Sequence, residues 1–201
     1  MTRAAVWILR PRPVQVGTIT IVPADAPSSP GVLRMHDSGA FGTGLHPTTA
    51  LCVEAIENAI DVVQPDRLLD VGIGSGVLAL SALLKGTPQA TGLDIVENVL
   101  RVAAENAALN GLEDRLTLIH GGPDAVAGTW PLVVANVLAA PLIDMAPTLV
   151  RRIGHTGRLV LSGIPEAMDA DVTRTYTRLG MRHVMSDARA GWSVVVLDTT
   201  W

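Results

Sequence analysis

Leu68-Leu69-Asp70-Val71-Gly72-Ile73-Gly74-Ser75-Gly76 is the stretch that decides the fold of this chain. The apolar run into Val71 makes a short strand, and three alternate glycines follow it. Glycine lets a backbone turn tightly and approach a ligand closely. The residues after Gly76 form a helix that runs to Lys85 and stops at Gly86. The first N–H groups of that helix face whatever lies in front of the loop.

The same alternation continues outward from this unit. A helix is predicted over about 48–63, with Cys52, Ile56, Ala59, Ile60 and Val63 at helical spacing, and the strand before the glycines covers 67–71. Downstream come a strand at 90–95, a helix at 97–109 ending on Asn110-Gly111, and strands at 115–120 and 132–137. A helix over 141–153 opens with Pro141, and a strand at 157–163 and a helix at 166–179 follow. Gly86, Gly111, Gly154 and Gly180 read as plain helix stops. The last two strands, 181–187 and 192–199, flank Ala190-Gly191 with no helix between them, which makes an antiparallel hairpin at one edge. The fold class is therefore α/β: a mostly parallel, Rossmann-like sheet with helices on both faces and a C-terminal antiparallel hairpin.

At the front, residues 4–9 and 14–22 read as strands split by Pro11 and Pro13, a hairpin leading into the domain. PADAPSSPG (23–31) is a turn-rich connector, and AFGTGLHPTT (40–49) is a glycine-rich loop that ends in a helix start marked by Pro47 and two threonines. The chain divides accordingly into strands and connector over 1–39 and a ligand-binding domain over 40–201.

At 201 residues and 48% apolar content, one globular domain is expected. Aromatics are only 3%, so the core is built from Ala, Val, Leu and Ile, as suits buried parallel strands. A net charge of -4 with no basic cluster argues against a nucleic-acid surface and fits a cationic ligand or partner better. The lone Cys52 leaves no intramolecular disulfide and no cysteine-rich metal site, and His36, His120, His155 and His183 show no metal-ligand spacing. The opening MTRAAVWILRPRP is too short for a signal-peptide core, and no apolar run reaches the ~18 residues of a membrane span. No membrane association is expected, and the default location is the cytoplasm.

Two ligands compete for the glycine loop. A dinucleotide site wants G-x-G-x-x-G, but Val77 stands where its last glycine belongs. The pattern is instead acid-x-G-x-G-x-G, with Asp70 two places before Gly72. An acid there repels a pyrophosphate and suits the ammonium of S-adenosyl-L-methionine, directly or through water. Asp94 ends the next strand at a spacing that lets it accept hydrogen bonds from both ribose hydroxyls, and Ile95 beside it can pack on adenine. The competing structural reading is a tight strand–helix turn with a surface acid at the next strand end. Asn136 closes the strand VVAN at the carboxyl edge of the sheet, where open α/β folds bind ligands. It either holds an attacking nitrogen or leans on the cofactor, or else caps loop N–H groups.

With AFGTGLHPTT, DVGIGSG, GLDI and ANVLAAPL in this order, the chain resembles the ribosomal-protein methyltransferase family PrmA over about residues 15 to 197. The resemblance implies a class I methyltransferase fold, S-adenosyl-L-methionine as cofactor, and trimethylation of amino groups on a large-subunit ribosomal protein. It matches the family's cofactor-binding residues to Thr49, Gly72, Asp94 and Asn136, with Phe41 and Thr43 of the glycine-rich loop, Asp70, Gly74, Gly76 and Ile95 completing the cofactor set. Phe41 is expected over the cofactor or as a core-facing anchor. Asn136 and His46 are the candidate catalytic residues, His46 either shaping the cofactor lid and touching substrate or bracing its loop. Asp124 either contacts the adenine amino group or is simply a turn residue in GGPD. No metal is expected.

The sequence departs from the family at several points. Leu45 replaces a threonine, Ile73 a cysteine, Val96-Glu97 follow Asp94-Ile95, and NVLAAPL stands for NILAGPL. The largest departure is at the front, where family members carry a recognition domain of about a hundred residues that this chain is expected to lack. The resemblance implies a protein amine (lysine or N-terminal) as the expected acceptor. The expected lack of the front domain favours the alternative of a small-molecule amine of specialised metabolism, and a non-catalytic cofactor-binding subunit is the third reading.

Overall fold

In a computed structural model the described residues are 13–36 and 46–201. The stretch 14–22 is not one strand but two, β1 (Val14–Val16) and β2 (Ile19–Pro23), which pair antiparallel. The break has a tertiary cause. Glu57, buried on helix α1 (Pro47–Val63), takes the Thr18 N–H on both carboxylate oxygens at 2.9 Å and the Thr18 hydroxyl at 2.6 Å. Gly17 has φ +54°, and a Cβ there would lie 2.1 Å from Glu57 Oε2, so only glycine fits this turn. The partner strand expected at 4–9 lies outside the described residues. After the connector, β3 (Val32–Met35) pairs parallel to β2 and completes a three-stranded sheet. This strand is absent from the sequence reading, being four residues long with an arginine in it. Its free edge is taken by a side chain: Asn110 accepts from the Arg34 N–H at 2.9 Å and donates to the Arg34 carbonyl at 2.7 Å.

The main sheet follows the expected alternation. It runs β4 (Arg67–Val71), α2 (Val77–Lys85), β5 (Gln89–Asp94), α3 (Glu97–Leu109), β6 (Leu116–His120), β7 (Trp130–Asn136), α4 (Ala139–Val150), β8 (Ile153–Pro165), α5 (Asp169–Arg178), β9 (Arg182–Arg189) and β10 (Trp192–Asp198). The strand order is β6-β5-β4-β7-β8-β10-β9. The first five strands are parallel, and β10 is antiparallel to both its neighbours. The hairpin therefore tucks its second strand against β8 and leaves β9, exposed at every residue, as the edge.

Each strand of the sheet centre is buried on both faces, as a parallel sheet between helices requires. Leu68, Leu132, Val134 and Val160 pack with α1, α2, α3 and the small sheet. Leu69, Val71, Val133, Ala135 and Leu161 pack with α4 and α5. The fully buried Tyr176 ties those two helices by donating its hydroxyl to the Leu142 carbonyl at 2.7 Å.

Gly86, Gly111 and Gly180 follow helix ends in the left-handed region, as read. Gly154 does not; it lies inside β8. Helix α4 ends three residues earlier than expected because Arg152 donates its N–H to the Leu149 carbonyl while its own carbonyl accepts the Trp130 N–H, which starts the β7–β8 pairing. Among the described residues no helix is long and apolar enough to cross a membrane.

Candidate functional site

A cavity of about 640 Å³ opens at the carboxyl ends of β4, β5, β6 and β7. Strand order reverses between β4 and β7, which is the switch point where open α/β sheets bind ligands. The glycine loop forms one wall. Gly72, Gly74 and Gly76 all have positive φ, at +77°, +54° and +87°. The Gly72 and Ile73 N–H groups both donate to the Leu93 carbonyl at 2.8 Å, and the Gly74 N–H donates to Asp94 Oδ2 at 3.1 Å. Gly72 and Gly74 line the cavity, whereas Gly76 does not. Gly76 caps α2 and lets α3 close in, its missing Cβ falling 3.4 Å from Ala103 Cβ.

Asp94 and Ile95 form the second wall. The Asp94 carboxylate is oriented by two backbone donors, Gly74 N–H on one oxygen and Val96 N–H on the other at 2.9 Å. Ile95 is 75% exposed, an apolar surface presented rather than packed, and His120 pairs through Nε2 with the Ile95 carbonyl at 3.0 Å.

Asn136 lies on the wall after β7, and its Oδ1 is buried with no hydrogen-bond partner among the described residues. Such a group costs free energy unless something meets it. Its surroundings are shaped by Gly163 of β8, at φ +79°. A Cβ there would lie 2.4 Å from the Val137 carbonyl oxygen and 3.1 Å from Asn136 Oδ1. Gly163 escaped the sequence reading; a glycine inside the strand LSGIP was the available signal.

His46 and Thr48 enter from the head of α1. His46 is the N-cap: Nδ1 accepts from the Thr48 N–H at 3.4 Å and lies 2.8 Å from the Thr48 hydroxyl. With Nδ1 as acceptor, the ring proton sits on Nε2. The ring packs edge-on against Trp192, 5.1 Å between centroids. His46 thus caps α1 and also lines the cavity. Trp192, the first residue of β10, was not anticipated, although a tryptophan straight after Ala190-Gly191 marked the strand start.

Two further expectations change. Thr48, not Thr49, lines the cavity; Thr49 is fully buried and its hydroxyl has no partner among the described residues. Asp70 does not line the cavity either. Side chains alternate along a strand, so Asp70 shares the α1/α2 side with Leu68 and is wholly buried there. Its Oδ2 accepts the Ala79 N–H at 3.1 Å, and Oδ1 has no partner among the described residues. Burial raises its pKa to about 7, against the lowering effect of the Ala79 N–H and with a smaller raising effect from Asp94. The buried Cys52 thiol is pushed up by desolvation and by the Asp70 charge. Asp124 is exposed and off the cavity wall. Phe41 and Thr43 lie outside the described residues.

The family profile described as "Ribosomal protein L11 methyltransferase (PrmA)" matches residues 4–200. A ribosomal protein L11 methyltransferase of Sorangium cellulosum is 44% identical over 81% of this chain and 53% of its own length. One from Geobacter sulfurreducens is 39% identical over 92% of this chain and 62% of its own. The chain thus spans just over half to about three fifths of the length of these curated relatives. Among solved structures, a ribosomal protein L11 methylase from Lactobacillus delbrueckii subsp. bulgaricus superposes with a TM-score of 0.84 at 29% identity, over 92% of this chain and 96% of that one.

Proposed function

Because the chain belongs to the ribosomal protein L11 methyltransferase (PrmA) family, we propose that it binds S-adenosyl-L-methionine in the cavity beside the glycine loop and methylates an amino nitrogen of a protein. Asn136, on the same cavity wall as Asp94 and with a buried Oδ1 that has no partner among the described residues, carries this reading. The residues fit the cofactor. Each Asp94 oxygen already takes one backbone N–H and keeps a lone pair for a ribose hydroxyl. Gly72 and Gly74 present bare backbone, and Ile95 offers an apolar face to a base. Asp70 acts from inside the fold, where its Oδ2 takes the Ala79 N–H in the first turn of α2.

When bound, the cofactor supplies an electrophilic methyl group on a sulfonium, with a neutral sulfide as leaving group. The chain's task is alignment. Asn136, on the cavity wall, holds the incoming amine and so turns its lone pair along the cavity. His46, held by Thr48 and Trp192, adds a further polar group to the cavity lining. A lysine acceptor must first lose its proton, which costs about 4.6 kcal/mol at pH 7 from an unperturbed pKa of about 10.4. An apolar cavity next to a sulfonium lowers that cost, since both disfavour the ammonium. No separate general base is required when water takes the proton. A ribosomal protein as substrate would place the enzyme in the cytoplasm.

The test uses the full chain with methyl-labelled S-adenosylmethionine and purified ribosomal protein L11 or a cell lysate. Label in protein amines is expected. Label confined to extractable metabolites would replace the protein substrate with a small amine. Binding without transfer would make the chain a non-catalytic subunit, and absence of binding would overturn the reading altogether.

A further inference from the structure

Ile73 anchors the glycine loop in the core, and a residue of α3 meets the loop from its far side. Asn106 is fully buried, and its side-chain amide bridges two separate segments. Nδ2 donates to the Ser75 carbonyl at 2.9 Å, between Gly74 and Gly76. Oδ1 accepts the His36 N–H at 2.8 Å, just beyond β3. One turn along the same helix face, Asn110 makes the analogous contacts to Arg34 but does not touch the glycine loop.

We propose that Asn106 is a positioning residue for the cavity: its amide fixes the Gly74–Gly76 segment from behind, so that Gly72, Gly74 and the Asp94 carboxylate keep their places on the wall. The reasoning is mechanical. Gly74 and Gly76 both lie at positive φ, so the placing of the Ser75 peptide between them depends on its hydrogen bonds, of which Asn106 supplies one. On the cavity side, the Gly74 N–H donates to Asp94 Oδ2. With the Ser75 carbonyl released by Asn106, that N–H is held less firmly, and with it one of the two donors that orient Asp94.

The proposal rests on the cavity being a cofactor site, and the experiment separates the two. Binding of S-adenosylhomocysteine is measured by calorimetry for wild type, Asn106→Ala and Asn110→Ala, well below the thermal midpoints of all three. Both variants lose an amide's hydrogen bonds, fully buried at Asn106 and part-buried at Asn110, and melt earlier. Only Asn106→Ala should weaken binding, by about tenfold, the equivalent of one lost hydrogen bond's worth of order in the loop. Asn106→Asp keeps the acceptor for His36 but loses the donor to Ser75, so it should bind as poorly as the alanine variant. Equal Kd values for wild type and Asn106→Ala, or equal weakening in Asn110→Ala, would reduce Asn106 to a stability residue. Wild type that binds nothing would remove the cofactor reading, and this proposal with it. Where Asn106→Ala does not fold, the side-chain amide resonances of the wild type decide. The Asn106 NH₂ signal should shift on adding S-adenosylhomocysteine while that of Asn110 stays; no shift, or equal shifts of both, overturns the proposal.

Discussion

Replacing Asp70 by Asn should make the protein more stable near neutral pH, by an amount that depends on pH in a defined way. The native carboxyl titrates at about 7 against an ordinary aspartate value of 3.8, because the fold takes it wholly out of water. Its folded pKa is raised, so its contribution to stability is full below 3.8 and is lost as pH rises toward the folded value. Across that interval the native state holds a proton that the unfolded state has released. Wild-type stability therefore falls by about 1.4 kcal/mol per pH unit relative to a variant that cannot ionise. Above about 7 both states are ionised and the difference becomes constant. The whole span is worth about 4 kcal/mol, as an order of magnitude. Asparagine keeps an acceptor for the Ala79 N–H and carries no charge, so it isolates the titration. The assay is urea unfolding of wild type and Asp70→Asn from pH 5 to 9. The variant's relative stability should rise by about 2 to 3 kcal/mol between pH 5 and 7 and then level off. A difference that stays flat from pH 5 to 7 would show that Asp70 does not titrate there, and that the fold solvates its carboxylate after all.

Three more outcomes are expected. Gly163→Ala forces a Cβ to 2.4 Å from the Val137 carbonyl oxygen at a left-handed φ, so it should cost on the order of 2 kcal/mol in unfolding measurements and lower turnover by displacing Asn136; unchanged stability would mean that β8 yields there freely. Asp94→Ala should weaken cofactor binding about a hundredfold in calorimetry through the loss of two charge-assisted hydrogen bonds, and unaltered affinity would show the ribose placed elsewhere. Asn136→Ala should reduce kcat far more than cofactor affinity, whereas parallel loss of both would leave it a binding residue alone.

Much of this was legible in local signals. Strand β4 and helix α3 fall at the expected residues because apolar period and the stops at Gly72 and Asn110-Gly111 lie within a few positions of the elements they bound. That Asp94 and Asn136 line the cavity was legible because a strand's last residue lies at the edge where such sheets bind ligands, whatever surrounds it. Local signals misled where a distant group intervened. The 14–22 strand breaks because Glu57 arrives from α1, and Gly154 leaves its helix-stop role because β7 claims Arg152.

The order of residues thus determined by itself most helices and strands of the main sheet, that five of its strands run parallel, and that its carboxyl edge carries an acid and an amide. Those features depend on periods of two and three to four residues and on glycines that act on their neighbours. Tertiary structure decided which face each residue ends on. The pleat turned Asp70 inward and gave it a raised pKa, the register of β7 against β8 set Gly163 under Asn136, and the insertion of β10 beside β8 delivered Trp192 to His46. Each of these joins residues far apart in the chain, and no local pattern encodes a contact whose partner lies in another element.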